Sequence, residues 1–149
     1  MDESPIWNIR TFVYRSFAEA TEAPTLHEIA RHFDLADKQA ADALSTLHER
    51  HALFLDPGTF RIRFANPFSN IATPFQVTVG GRTYQANCAW DSFGVVAALH
   101  ASDAIIRSTC ARSGVPVRIS VREGQVGSTG EIVHFLVPFE RWYEDLVFT

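Results

Sequence analysis

Thiols and lysines are both scarce in this chain of 149 residues: it has two cysteines, Cys88 and Cys110, and Lys38 is its one lysine. Two cysteines exclude a small scaffold stapled by several disulfides and an all-cysteine zinc centre, and they read as reduced thiols rather than a structural bridge. Positive charge is also in deficit. The formal net charge is -4, so no global attraction draws the chain to nucleic acid or to an anionic membrane. No apolar run approaches the roughly 20 residues that span a bilayer. The opening Met1-Asp2-Glu3-Ser4-Pro5 is acidic and has no signal-like hydrophobic stretch, so the expected compartment is the cytoplasm. HExxH, P-loop, dinucleotide and Gly-x-Ser-x-Gly motifs are all missing, and with them the usual sequence signs of zinc proteases, nucleotide enzymes and serine hydrolases.

What is present is enough apolar residue for a folded core, with 46% hydrophobic and 20% charged side chains. Ile9, Phe12, Val13 and Phe17 fall on one stripe of a helix predicted over 7–19. Thr25-Leu26-His27-Glu28 forms a capping box for a second helix ending near Phe33. Asp37 is placed to cap a third helix reaching about Arg50, with Ala40, Ala43, Leu44 and Leu47 as its apolar face. Leu53–Leu55, a turn at Asp56-Pro57-Gly58-Thr59 and the alternating Phe60–Phe64 predict a hairpin. Three helices and a hairpin over 1–66 are winged-helix-like, an order that suggests DNA reading. Residues 1–66 hold ten acidic and seven basic side chains, a net charge of -3. Affinity for DNA rests on cations meeting phosphates, so nucleic acid is not the expected partner.

Residues 67–74, with Pro67 and Pro74, read as a linker to a second part over 75–149. That part opens with Phe75–Val79, Gly80-Gly81 and Arg82–Ala86, a strong hairpin pattern. A nearly all-apolar helix over about 89–99 is expected to be central and buried. Strands follow at 104–110 and 115–121. After a turn near Glu123-Gly124 and the small-residue loop Gly127-Ser128-Thr129-Gly130, a last strand is predicted over 132–137, with a short terminal helix carrying Trp142 and Tyr143. The fold class is α+β: a winged-helix-like N-terminal part packed on antiparallel strands around a central helix.

The chemistry-bearing stretch is Tyr84-Gln85-Ala86-Asn87-Cys88-Ala89-Trp90-Asp91, at the passage from hairpin to helix. Asn87 as N-cap puts Cys88 in the first helical turn, where free N–H groups and the helix dipole favour a thiolate. Asp91 lies three residues on, on the same face, and opposes a second negative charge. Such a pair can share a proton, and the plain alternative is a buried cysteine beside a surface aspartate. Cys110 reads as a structural buried thiol, or as a second soft ligand if the fold brings it to Cys88. His48 and His51 have ligand spacing on a helix but lack further ligands nearby, and His134 reads as a core or pocket residue on its strand.

The stretch Tyr84–Asp91, with Ile106-Arg107-Ser108-Thr109-Cys110-Ala111-Arg112-Ser113-Gly114 and Val133-His134-Phe135-Leu136, resembles the organomercurial (alkylmercury) lyase family over most of the chain. The resemblance implies that Cys88 and Asp91 are the catalytic pair and possible mercury ligands, that Cys110 is structural, and that no organic cofactor is needed. It implies an organomercurial substrate, Hg(II) as the product metal, and an external thiol as the partner that removes it. The family's second catalytic cysteine would fall near Ser128–His134, where this chain has none. Glu131 offers an oxygen there, a poor ligand for a soft metal. Three other readings stay open: an enzyme of the same fold with a non-mercurial substrate, a non-catalytic soft-metal binder, and a winged-helix regulator.

Overall fold

The computed structural model describes residues 4–127 and 130–144, leaving out the side chain of Ser4. The chain divides into two compact units, Met1–Ala72 and Thr73–Thr149. In the first, helix α1 (Ser4–Ala20) buries Ile9, Val13 and Phe17, one residue per turn. Helix α2 (Leu26–His32) is held at its start as the sequence implies. The Thr25 hydroxyl accepts from the Glu28 N–H at 3.3 Å, and the Glu28 carboxylate accepts from the Thr25 N–H at 2.7 Å. Helix α3 (Asp37–Glu49) starts one residue differently from expectation. Ala36 is its cap, Asp37 is already helical, and the Gln39 side chain closes the turn by accepting from the Ala36 N–H at 2.9 Å. Strands β1 (Phe54–Leu55), β2 (Ile62–Ala65) and β3 (Phe68–Ser69) pair antiparallel in that order. Strand β3 was not expected. Its Phe68 is buried and stacks on Phe17 with ring centroids 5.2 Å apart.

The second unit is an antiparallel sheet with one helix laid on it. Strands β4 (Gln76–Val79) and β5 (Arg82–Ala86) form the predicted hairpin. Gly80 and Gly81 turn it with φ of 55° and 80°, the left-handed values that a tight two-residue turn needs and that glycine adopts without strain. Strand β6 (Ala104–Thr109) pairs with β4, β7 (Pro116–Arg122) with β6, and β8 (Gln125–Val126) with β7. The face carrying Val77, Tyr84, Ala86, Ile106 and Val121 is buried, and helix α4 (Ala89–Ala98) packs against β4, β5 and β6. The opposite face carries Gln76, Thr78, Arg107, Arg118 and Arg122. Arg107 stands directly opposite Arg118, and both are exposed.

Two expectations for this unit are corrected. Helix α4 is not buried all round: Ser92, Val95 and Val96 are buried, whereas Trp90, Ala97 and Ala98 are exposed. A single sheet covers only one side of a helix, so apolar composition overstated its enclosure. The last strand expected over 132–137 does not form. Glu123 and Gly124, both at positive φ, turn β7 straight back into β8, which takes the edge beside β7. The alternating residues then have no ladder to join, and Ile132 is 88% exposed. Part of the small-residue loop, Ser128 and Thr129, lies outside the described residues. A short 3-10 helix, Phe139–Glu144, follows Pro138. Among the described residues no helix is long and apolar enough to cross a membrane.

Since Val95 is fully buried where α4 meets the sheet, Val95→Ala is expected to cost about 2 kcal/mol of stability. Chemical denaturation would measure it, with the exposed Ala97→Ser expected to stay within about 0.5 kcal/mol of the parent.

Candidate active site

Strand β5 ends at Ala86, and the chain reaches α4 within three residues. Thr73 fixes that end. Its hydroxyl donates to the Ala86 carbonyl at 2.6 Å, and its N–H donates to the Gln85 side-chain oxygen at 3.1 Å. Cys88 is itself the N-cap of α4, with extended backbone at φ -147° and ψ 179°. The expectation that Asn87 caps and Cys88 lies in the first turn is therefore off by one residue. The difference is chemical, because a capping side chain faces the free N–H groups of the first turn. The Cys88 sulfur accepts from the Asp91 N–H at 3.4 Å and also meets the Trp90 N–H. The Cys88 carbonyl accepts from the Ser92 N–H at 3.1 Å and the Ser92 hydroxyl at 3.2 Å. Ser92 is fully buried and was missed in the sequence. Its signal is a small polar residue four positions after the cap inside an otherwise apolar helix.

The Cys88 thiol and the Asp91 carboxyl share the start of α4 and influence each other's ionisation. Burial pushes the thiol up to about 11, and the neighbouring Asp91 charge adds to that rise. These effects outweigh the two backbone N–H groups, which favour the thiolate. Burial likewise raises the Asp91 carboxyl to about 6, against a downward pull from the Cys88 thiol. Near neutral pH the thiol keeps its proton and the carboxyl is mostly ionised. A proton moving from sulfur to oxygen would let the thiolate form.

Cys110 follows β6 and opens the turn into β7. Its N–H donates to the Val115 carbonyl, and its carbonyl accepts from Gly114. It is half-buried rather than enclosed. Hydrogen bonds from the Ser113 hydroxyl and from the Ser113 and Arg112 N–H groups hold its thiol below the usual range. Strands β5 and β6 flank β4, so Cys88 and Cys110 lie at the same end of the sheet, two strand spacings or about 10 Å apart in backbone. Glu131 and His134 are exposed, which corrects the core or pocket placement of His134. His48 accepts from the Leu55 N–H, and His51 stacks on Phe54. No group of three or more His, Cys, Asp or Glu residues among those described could hold a metal ion. Two surface clefts, of about 550 and 670 Å³, belong to the first unit, and neither includes Cys88 or Asp91.

An α+β unit with a desolvated thiol and a protonatable carboxyl at one helix start defines a class of site, a half-buried thiol with a carboxyl as neighbour. Residues 68–148 match the alkylmercury lyase family, MerB, and the chain belongs to that family. A crystal structure of the mercury-bound form of MerB2 is similar, with a TM-score of 0.68 and 28% sequence identity, over 87% of this chain and 61% of that one. The present chain thus spans about three fifths of that protein's length. Among curated proteins no significant match is found.

Iodoacetamide at pH 8 is expected to modify Cys110 well before Cys88, as peptide mass mapping over time would show. Asp91→Asn removes the nearby negative charge and should speed the Cys88 reaction. Stability gives an independent check. Asp91 holds its proton more tightly in the folded chain, at about 6, than at its ordinary 3.8. It therefore favours folding below about pH 4 and loses that contribution as the pH rises through 6. Asp91→Asn should gain thermal stability relative to the parent at pH 7 compared with pH 4; an equal difference at both would contradict the shift.

Proposed function

We propose that this protein binds the mercury of an organomercurial through Cys88 and cleaves the carbon–mercury bond by protonolysis, with Asp91 as the proton carrier. The observation that carries this reading is a desolvated thiol that holds its proton at the start of α4, with a carboxyl that is mostly ionised near neutral pH in the same first turn. Mercury approaches the sulfur and the S–H proton passes to the Asp91 carboxylate. The sulfur–mercury bond forms as the substrate's other ligand leaves. Asp91 then delivers the proton to carbon, the carbon–mercury bond breaks toward carbon, and a hydrocarbon departs. Hg(II) remains on the Cys88 thiolate, with the Asp91 carboxylate free to ligate it. Charge and protons balance without any organic cofactor. An external thiol then removes the metal by exchange.

The family resemblance supports this chemistry and also limits it. A second thiolate would enrich the mercury in electrons and help release carbon, and no cysteine stands at 128–134. Gly130 and Glu131 are exposed, and Gly130 has a φ of 80°, where a cysteine would be strained. Position 131 is the less strained place for an added thiol, since Glu131 is not among the residues at positive φ.

Gas chromatography of hydrocarbon released from phenylmercury or methylmercury, with excess thiol, tests the proposal. Cys88→Ser should abolish release. Asp91→Asn should keep mercury on Cys88 and slow release by about a hundredfold or more. Glu131→Cys should raise the rate. Release that persists in Cys88→Ser would overturn the mechanism. Stoichiometric mercury uptake with no hydrocarbon would leave a binding protein.

A further inference from the structure

Trp90 sits between the two site residues in sequence and is 60% exposed, while its backbone N–H faces the Cys88 sulfur. Its ring is not isolated. It meets Phe135 edge-on at 6.4 Å, Phe135 packs on Trp142 at 4.9 Å, and Trp142 meets Phe139 at 5.0 Å. The Trp142 indole N–H donates to the Val137 carbonyl at 2.9 Å, fixing its ring. Phe139 is 67% exposed. Single exposed apolar side chains are ordinary, whereas a contiguous set of four rings is informative. Residues 130–138 belong to no helix or strand, and among the described residues the Phe135–Trp90 ring contact links this segment to the first turn of α4.

We infer that Trp90 and Phe135, backed by Trp142 and Phe139, form the wall that receives the substrate's organic group, and that the site selects flat aryl groups over methyl. The inference rests on Cys88 as the mercury ligand. Mercury on that sulfur carries its organic group within the first turn of α4, where the Trp90 ring begins. Aromatic pairs gain attraction beyond simple burial when stacked or edge-to-face. An aryl group presents a face and an edge to these rings, and a methyl group is too small to span them. The intrinsic reactivity of the two mercurials differs anyway, so the diagnostic quantity is how preference changes when a ring is removed.

The test uses the full chain carrying Cys110→Ser, which leaves one thiol, and Asp91→Asn, which keeps the carbon–mercury bond intact. Limiting protein is mixed with equal phenylmercury and methylmercury, and native mass spectrometry reads the adduct ratio on Cys88. Trp90→Ala and Phe135→Ala are each expected to lower the phenyl-to-methyl ratio about fivefold, with total mercury occupancy unchanged. Trp90→Phe should retain most of the preference. A ratio that neither alanine variant alters overturns the recognition wall and leaves Cys88 as the mercury ligand. A loss of total occupancy in parallel for both mercurials assigns the rings a structural role and overturns it as well. Failure of either mercurial to reach Cys88 overturns both this inference and the proposed function.

Discussion

Cys88 and Asp91 occupy one partly dehydrated space in which two negative charges are strongly disfavoured, and the rest of the site follows from how that space is made. Helix α4 is seated on the sheet by Val95 and Val96, and this seating draws its N-terminus in beside the end of β5. The Ser92 hydroxyl and N–H tie down the Cys88 carbonyl, leaving the sulfur to face the first-turn N–H groups. Those groups favour a thiolate, but burial and the neighbouring carboxyl outweigh them. The result is a resting thiol whose proton has a nearby destination. In the proposed reaction mercury binding supplies what the resting site lacks, a strong reason for the sulfur to give the proton up.

Much of the fold could be read from local pattern. The Thr25–Glu28 capping box, the Gly80-Gly81 hairpin and the one-residue-per-turn stripe of Ile9, Val13 and Phe17 each encode their geometry within a few residues. The pair Cys88–Asp91 was legible for the same reason, since three residues at a helix start define a contact. What escaped reading depended on partners distant in sequence. Whether Ile132–Val137 becomes a strand depends on an available edge, and β8 takes it. The apolar sequence of α4 suggested enclosure, whereas only a sheet on one side determines which residues are covered. The short β3 looked like linker because two residues give no periodicity. Ser92 was passed over because one hydroxyl in an apolar helix has no meaning until its acceptor, the Cys88 carbonyl, is known.

Family membership and the departures from the family's pattern bear on different parts of the reaction. In the proposed reaction the capping position of Cys88 and the nearness of Asp91 serve capture and proton delivery. The family's second thiol, for which 128–134 has no cysteine, would serve electron donation to the metal in that reaction. Cys110, at the same sheet end, is easier to ionise than Cys88 but stands about two strands away. In the proposed reaction capture and cleavage thus rest on different groups.

The sheet face turned away from α4 places Arg107 directly across from Arg118 with Arg122 further along, and no acidic side chain stands on that face of the β4–β6–β7 ladder. Like charges opposite one another on paired strands oppose folding by a fraction of a kcal/mol. The same repulsion acts between molecules. Two such faces brought together would juxtapose their guanidinium groups, so the uncovered side of the sheet resists stacking on its own kind. Dissolved salt relaxes both effects together: rising ionic strength steadies the folded unit while removing the barrier that keeps neighbouring molecules apart.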